Sequence, residues 1–256
     1  MRFLQLPVAK VCFGVVCTLA IPLLIPQARL HAQEHAGHEM PPGMDMPMGG
    51  STDSQQQAKL LMDKRESEFN HHLAGFFVLL AGLIILANGS LQNRLRFASF
   101  VWPVCFLLSG LFLLVWSDTE LWPFGPQSWY YGLTHHAEVL QHKVFGILLV
   151  VIGVIELQRT RGVLKSAWSS WVFPALTIVG SVMLFFHEHQ AGMHGPNHME
   201  IMERIQSEHF SFAMAGFGIA LSKGLAETQF AWRPFFERLF PALLMVLGAL
   251  LLVYVE

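Results

Sequence analysis

"FFHEHQAGMHGPNHMEIMERIQSEHFSF", Phe185 to Phe212, decides how the whole chain is read. It holds five of the thirteen histidines, four glutamates and three methionines, and strongly apolar runs flank it on both sides. If those runs cross a membrane, this stretch is a loop that gathers soft and titratable side chains at one face. Composition favours that reading. Of the 256 residues 53% are apolar and only 13% charged, whereas a soluble domain carries about a quarter charged residues. Mean hydropathy is +0.45. The expected fold class is therefore an all-α membrane protein. A net charge of −2 gives no argument for a nucleic-acid partner.

Working outward, six apolar segments reach spanning or near-spanning length: 71–87, 97–117, 138–156, 168–186, 209–225 and 239–255. The first is short against the ~20 residues a helix needs to cross the hydrocarbon, so its polar start "ESEFNHH" is expected to dip into the membrane. Residues 1–32 read as a signal peptide: Arg2 and Lys10 flank an apolar region, and Ala32 offers a small residue for cleavage. An uncleaved anchor helix is the alternative. Residues 33–66 read as a flexible Met/His-rich tail, and 67–256 as the six-helix domain. Cys12 and Cys17 fall in the leader, which leaves Cys105 alone in an apolar run as a packing residue.

Orientation follows from the basic residues. The first, third and fifth connections carry Arg94, Arg96, Arg159, Arg161, Lys165, Lys223, Arg233 and Arg238, while the other two carry only Lys143 and Arg204. The basic loops are expected in the cytoplasm, with the tail and the C-terminus outside. This agrees with an exported N-terminus and points to a bacterial cytoplasmic membrane. On that map every histidine falls on the outer side.

The chain also echoes itself at a spacing of 70. Glu68 and His72 recur as Glu138 and His142, and Glu138 recurs as Glu208; Asp118 returns as Glu188. Three repeated helical hairpins would explain this, each bringing a carboxylate and often an imidazole to the outer end of its entering helix. Residues four apart share a helix face, so Glu68 and His72 point together with His71 beside them. His135, Glu138 and His142 form one stripe if their helix begins before residue 135, and His136 lies next to it. Intramembrane titratable groups are functional candidates by default; the plain alternative is polar decoration at the interface.

The type of chemistry comes from the tail, "HAQEHAGHEMPPGMDMPMGG". His35 and His38 precede Met40, Met44, Met46 and Met48 in a Pro/Gly-rich stretch. Thioethers favour Cu(I), and imidazole accepts either copper state. Zinc gains little from methionine. The last outer loop repeats the pattern: His187 and His189 flank Glu188, and His194, His198 and Met202 would share one face of a surface helix. A low-complexity linker and an amphipathic interfacial helix are the plain readings of these two segments.

No H-E-x-x-H pair, Walker loop or G-x-S-x-G elbow occurs, so copper binding or transport ranks above catalysis. A membrane enzyme with an outer-face metal site stays open as a class. The stronger rival is a haem b protein carrying quinol electrons outward, because paired histidines on neighbouring helices can ligate iron. His72, His142, His187 and His209 could supply such pairs.

The segment "LFFHEHQ…IQSEHFSFAMAGFGIALSKGLAE" resembles the C-terminal part of the copper-resistance protein D (CopD-like) family of bacterial membrane proteins, most clearly over residues 168–227. The resemblance implies metal-handling roles for His187, His189 and His209. It also implies copper movement across, or homeostasis at, the cytoplasmic membrane. The expected function is copper homeostasis, resistance or transfer at the periplasmic face, and a periplasmic copper carrier is a candidate partner alongside copper ions and the lipid bilayer.

Overall fold

The structure, a computed structural model, describes residues 50–90, 97–186, 198–229 and 231–255. The leader, the tail residues His35 to Met48, and the loop residues His187, Glu188, His189 and His194 lie outside these. Two compact units divide the chain, Met1–Met62 and Asp63–Glu256. In the first, the described residues are helical and place Leu61 and Met62 on the surface.

Among the described residues the chain is all-helical. The α-helices are α1 (Gly50–Ser90), α2 (Ala98–Val115), α3 (Trp129–His135), α4 (Ala137–Thr160), α5 (Val172–Leu184), α6 (His198–Ala226) and α7 (Arg233–Leu252). A 3₁₀ turn, Ala167–Trp171, leads into α5. Among the described residues, five segments are long and apolar enough to cross a membrane: Gln57–Gly89, Ala98–Val115, Ala137–Thr160, Ala167–Leu184 and Arg233–Leu252. The chain is therefore a multi-pass membrane protein. The sixth expected span, 209–225, lies within α6, which has 29 residues. His209, Ser211, Ser222 and Lys223 dilute its apolar character, and it does not join that set.

Residues 50–66, within the segment expected to be a flexible tail, belong to the long helix α1. Physically, "SQQQAKLLMDKRESEF" is built mainly from strong helix formers and has no Gly or Pro to stop propagation.

Antiparallel neighbours close the second unit into a ring. Phe69 of α1 meets Phe112 of α2 edge to face at 6.0 Å. At the α2–α4 seam, a β-carbon on Gly110 would come within 2.7 Å of the Gly146 carbonyl, so only glycine lets these backbones approach. Gly75 of α1 meets α7 in the same way, 2.8 Å from the Gly248 carbonyl. Phe106, Phe173 and Phe240 join α2, α5 and α7 through edge-to-face contacts at 5.6 and 5.3 Å. Cys105 is buried and free in this core.

The outer faces are apolar. Phe76, Leu83, Leu108, Leu111, Val154, Ile178 and Val246 are exposed on the spanning helices, as are Met214 and Leu221 on α6. In water such a surface costs about 25 cal/mol per Å²; against lipid it costs nothing. Exposed aromatics mark both ends: Trp122, Trp129, Tyr130 and Tyr131 at one, Trp171 and Trp232 at the other. Amphipathic rings of this kind settle at membrane–water interfaces.

Candidate functional site

His71, His142 and His209 come from α1, α4 and α6 and line one cavity of about 210 Å³, together with Asn70. The remaining wall is almost wholly hydrocarbon, including Phe106, Phe145, Leu148, Ile219 and Leu244. Thr177 and Ser181 also face it, but their hydroxyls donate to the Phe173 and Thr177 carbonyls of their own helix at 2.8 Å. The cavity is thus polar at its histidine end and apolar along its length.

Backbone groups set the histidine tautomers. His71 Nδ1–H donates to the Ser67 carbonyl at 2.8 Å, and His209 Nδ1–H donates to the Ile205 carbonyl at 2.8 Å. Each bond reaches one turn back along its own helix. Since a carbonyl only accepts, the neutral ring in each case keeps its lone pair on Nε2. The two rings stand 5.8 Å apart, nearly perpendicular. Tyr254, buried at the chain's far end, stacks on His71 at 4.0 Å and meets His209 edge-on at 6.0 Å. His72 is held by the same residue, its Nε2–H donating to the Tyr254 carbonyl at 3.0 Å.

His142 belongs to a buried polar knot. Its Nδ1 lies 3.2 Å from Asp118 Oδ1, and Lys143 Nζ lies 2.7 Å from Asp118 Oδ2. The Lys143 ammonium also donates to the Leu113 carbonyl at 3.0 Å and to Ser117 Oγ at 3.2 Å, while Asn70 Nδ2 donates to the Ser117 carbonyl at 2.9 Å. Burial pushes the Asp118 carboxyl up, but His142 and Lys143 together outweigh it and hold the group below the usual carboxylate range. Glu66 ties α1 to the same turn by accepting from the Thr119 amide and hydroxyl at 2.8 Å.

Some sequence candidates do not join this cluster. The stripe of His135, Glu138 and His142 is broken, because His136 takes an extended backbone (φ −121°, ψ 103°) between α3 and α4. Gln127 holds the His136 ring at 3.0 Å, and His135, the last residue of α3, stacks on Tyr131 at 4.3 Å, so both are held within the connection between α2 and α4. Glu68 pairs with Lys64 at 3.4 Å. Glu138 sits in the first turn of α4. Glu208 keeps one buried carboxylate oxygen without a hydrogen-bond partner, and burial raises its pKa against the pull of Arg204. His198 opens α6. Among the described residues no three His, Cys, Asp or Glu side chains are arranged to hold a metal ion.

Sequence reasoning missed Asn70, Gln141 and Tyr254, and treated Lys143 as a loop cation. Lys143 is in fact buried in α4. Its signal was available, since Lys143 falls one helical turn from Val139 and Leu140 inside an apolar helix, where a charge needs a partner. Gln141 Nε2 donates at 2.8 Å to the carbonyl of Phe186, the residue that precedes His187. No family model, curated protein or solved structure matches the chain.

Proposed function

We propose that the chain is a bacterial inner-membrane protein of six spans, arranged as three hairpins with the histidine end facing the periplasm, and that it binds copper there for homeostasis, resistance or transfer. One observation carries this reading. His71 and His209, 138 positions apart in the sequence, meet 5.8 Å apart with their Nδ1 protons committed to backbone carbonyls. A fixed tautomer is how metal-binding imidazoles are oriented. Two imidazoles can hold Cu(I), which accepts linear two-coordination, whereas a structural zinc needs four ligands. The apolar face of α6 supports counting it as the sixth span. In this reading the tail's methionines capture ions that the histidine end then receives.

A second reading, a haem b electron carrier, is favoured by the same pair standing over an aromatic-walled cavity. One measurement separates the two: Cu, Fe and Zn per chain, with an absorption spectrum, on purified full-length protein whose tail His and Met residues are replaced. Copper near one per chain that falls at least tenfold in His71→Ala and His209→Ala supports the copper reading. Iron with a haem band replaces it with the second. Copper unchanged in both variants, or no copper at all, overturns the core site.

A further inference from the structure

We propose that the cleft at the basic end of the bundle is a site for an anionic lipid headgroup, a phosphodiester that carries free hydroxyls as phosphatidylglycerol does. This is independent of copper and rests only on the chain being a multi-pass membrane protein.

Position comes first. Helix α4 ends at Thr160, and the next spanning segment begins at Ala167. Thr160, Ser166 and Ala167 line an open cleft of about 520 Å³, together with Lys223 and Glu227 from the end of α6. The cleft therefore sits where two spans leave the hydrocarbon, at the depth of the headgroups. Val163 and Trp171, in the same stretch of chain, are exposed. Apolar surface suited to acyl chains thus accompanies the polar cleft.

Charge decides the class of head. Three cations and two carboxylates line the cleft, so one positive charge is left over. Arg159 and Lys223 are held by Glu156 and Glu227 at 2.6 to 2.9 Å. Lys165 is exposed and, among the described residues, has no ion pair or hydrogen bond. A phosphodiester brings one negative charge, which matches this surplus. A phosphate monoester, at about −1.5 to −2, exceeds it, and a choline head would add a cation beside three others.

Hydrogen bonding narrows the head. Ser166 lines the cleft, and its buried hydroxyl has no hydrogen-bond partner among the described residues. A phosphate oxygen is the acceptor it lacks. Thr160, Ser169 and Ser170 donate their single hydroxyl protons to backbone carbonyls at 2.7 to 2.9 Å, so toward a ligand they can only accept. A head with hydroxyl donors beside its phosphate meets both conditions, and a glycerol head has them.

The test uses the full-length protein, delipidated in detergent, with bound lipid counted by native mass spectrometry as its concentration is raised. The probes are the dioctanoyl forms of phosphatidylglycerol, phosphatidylcholine and phosphatidic acid, with glycerol phosphate as a soluble competitor. The expected result is one phosphatidylglycerol per chain, the other two lipids at least fivefold weaker, and no displacement by glycerol phosphate. Lys165→Gln and Ser166→Ala should each weaken phosphatidylglycerol about fivefold, the effect of one lysine near anionic lipid and of one net hydrogen bond. Arg161→Gln, exposed on the same connection but outside the cleft, should leave binding unchanged. If Ser166→Ala fails to fold, Lys165→Gln and the ranking of lipids on the unaltered protein decide. Phosphatidylcholine or phosphatidic acid binding as tightly as phosphatidylglycerol, unchanged binding in either cleft variant, or an equal loss in Arg161→Gln would each overturn the proposal. Displacement by glycerol phosphate would overturn it in favour of a site for soluble anions.

Discussion

The two ends of the bundle bury charge in opposite styles. At the basic end Arg159 bridges Glu156 at 2.8 Å and Glu227 at 2.9 Å, and Lys223 closes on Glu227 at 2.6 Å. Two carboxylates meet two cations, and Lys223 also lies over the Phe240 ring at 5.4 Å. Burial raises the Glu227 carboxyl, but Lys223 and Arg159 more than offset it and hold it below the usual range. At the histidine end Asp118 and Lys143 also pair, yet imidazoles are added around them and face a cavity. Fixed charges that cancel make a clamp. Imidazoles beside a cavity make a place where a ligand or a proton can be taken up and released.

That contrast can be broken, most severely at the basic end. Arg159→Leu leaves Glu156, whose side chain is 4% exposed, without its cation. Losing one partner of a buried pair costs about 3–5 kcal/mol. Unfolding in detergent should show this loss, while copper content stays unchanged; a parallel loss of copper would mean that the two ends are not separate in role.

Asp118→Asn is the next largest. It keeps the shape but removes the charge that Lys143 and His142 share, at a cost of about 2 kcal/mol. Because Asp118 is held below the usual carboxylate range, its contribution is complete above the unfolded value near pH 4. It is lost as pH falls through the folded value, so the variant's stability should vary less with pH below about 4 than the parent's. A stability–pH curve for each protein checks this, and identical acid limbs would remove Asp118 from the knot. The smallest expected effect is His72→Phe, which loses one hydrogen bond to the Tyr254 carbonyl, about 1 kcal/mol. Copper should remain, marking His72 as a strut; a tenfold loss would make it a ligand.

How legible the site was depended on how local each signal is. The apolar runs were readable because hydropathy is additive along a segment, and five of them became helices long enough to span. α6 was harder, since its polar ends weigh against its centre. The stripe through His135, Glu138 and His142 rested on helical periodicity, which holds only while the backbone stays helical. His136 does not.

The sequence by itself determined that this is a helical, multi-pass membrane chain, because burying backbone polar groups in lipid leaves few other solutions for such apolar runs. It also determined that soft and titratable side chains concentrate in a few stretches. Only the tertiary structure decided which of them meet. His71, His209 and Tyr254 come from distant parts of the chain, and Asp118 finds Lys143 across a turn. Such contacts depend on which helices neighbour each other and how closely glycines such as Gly75 and Gly110 let them approach, and neither is a property of any one segment.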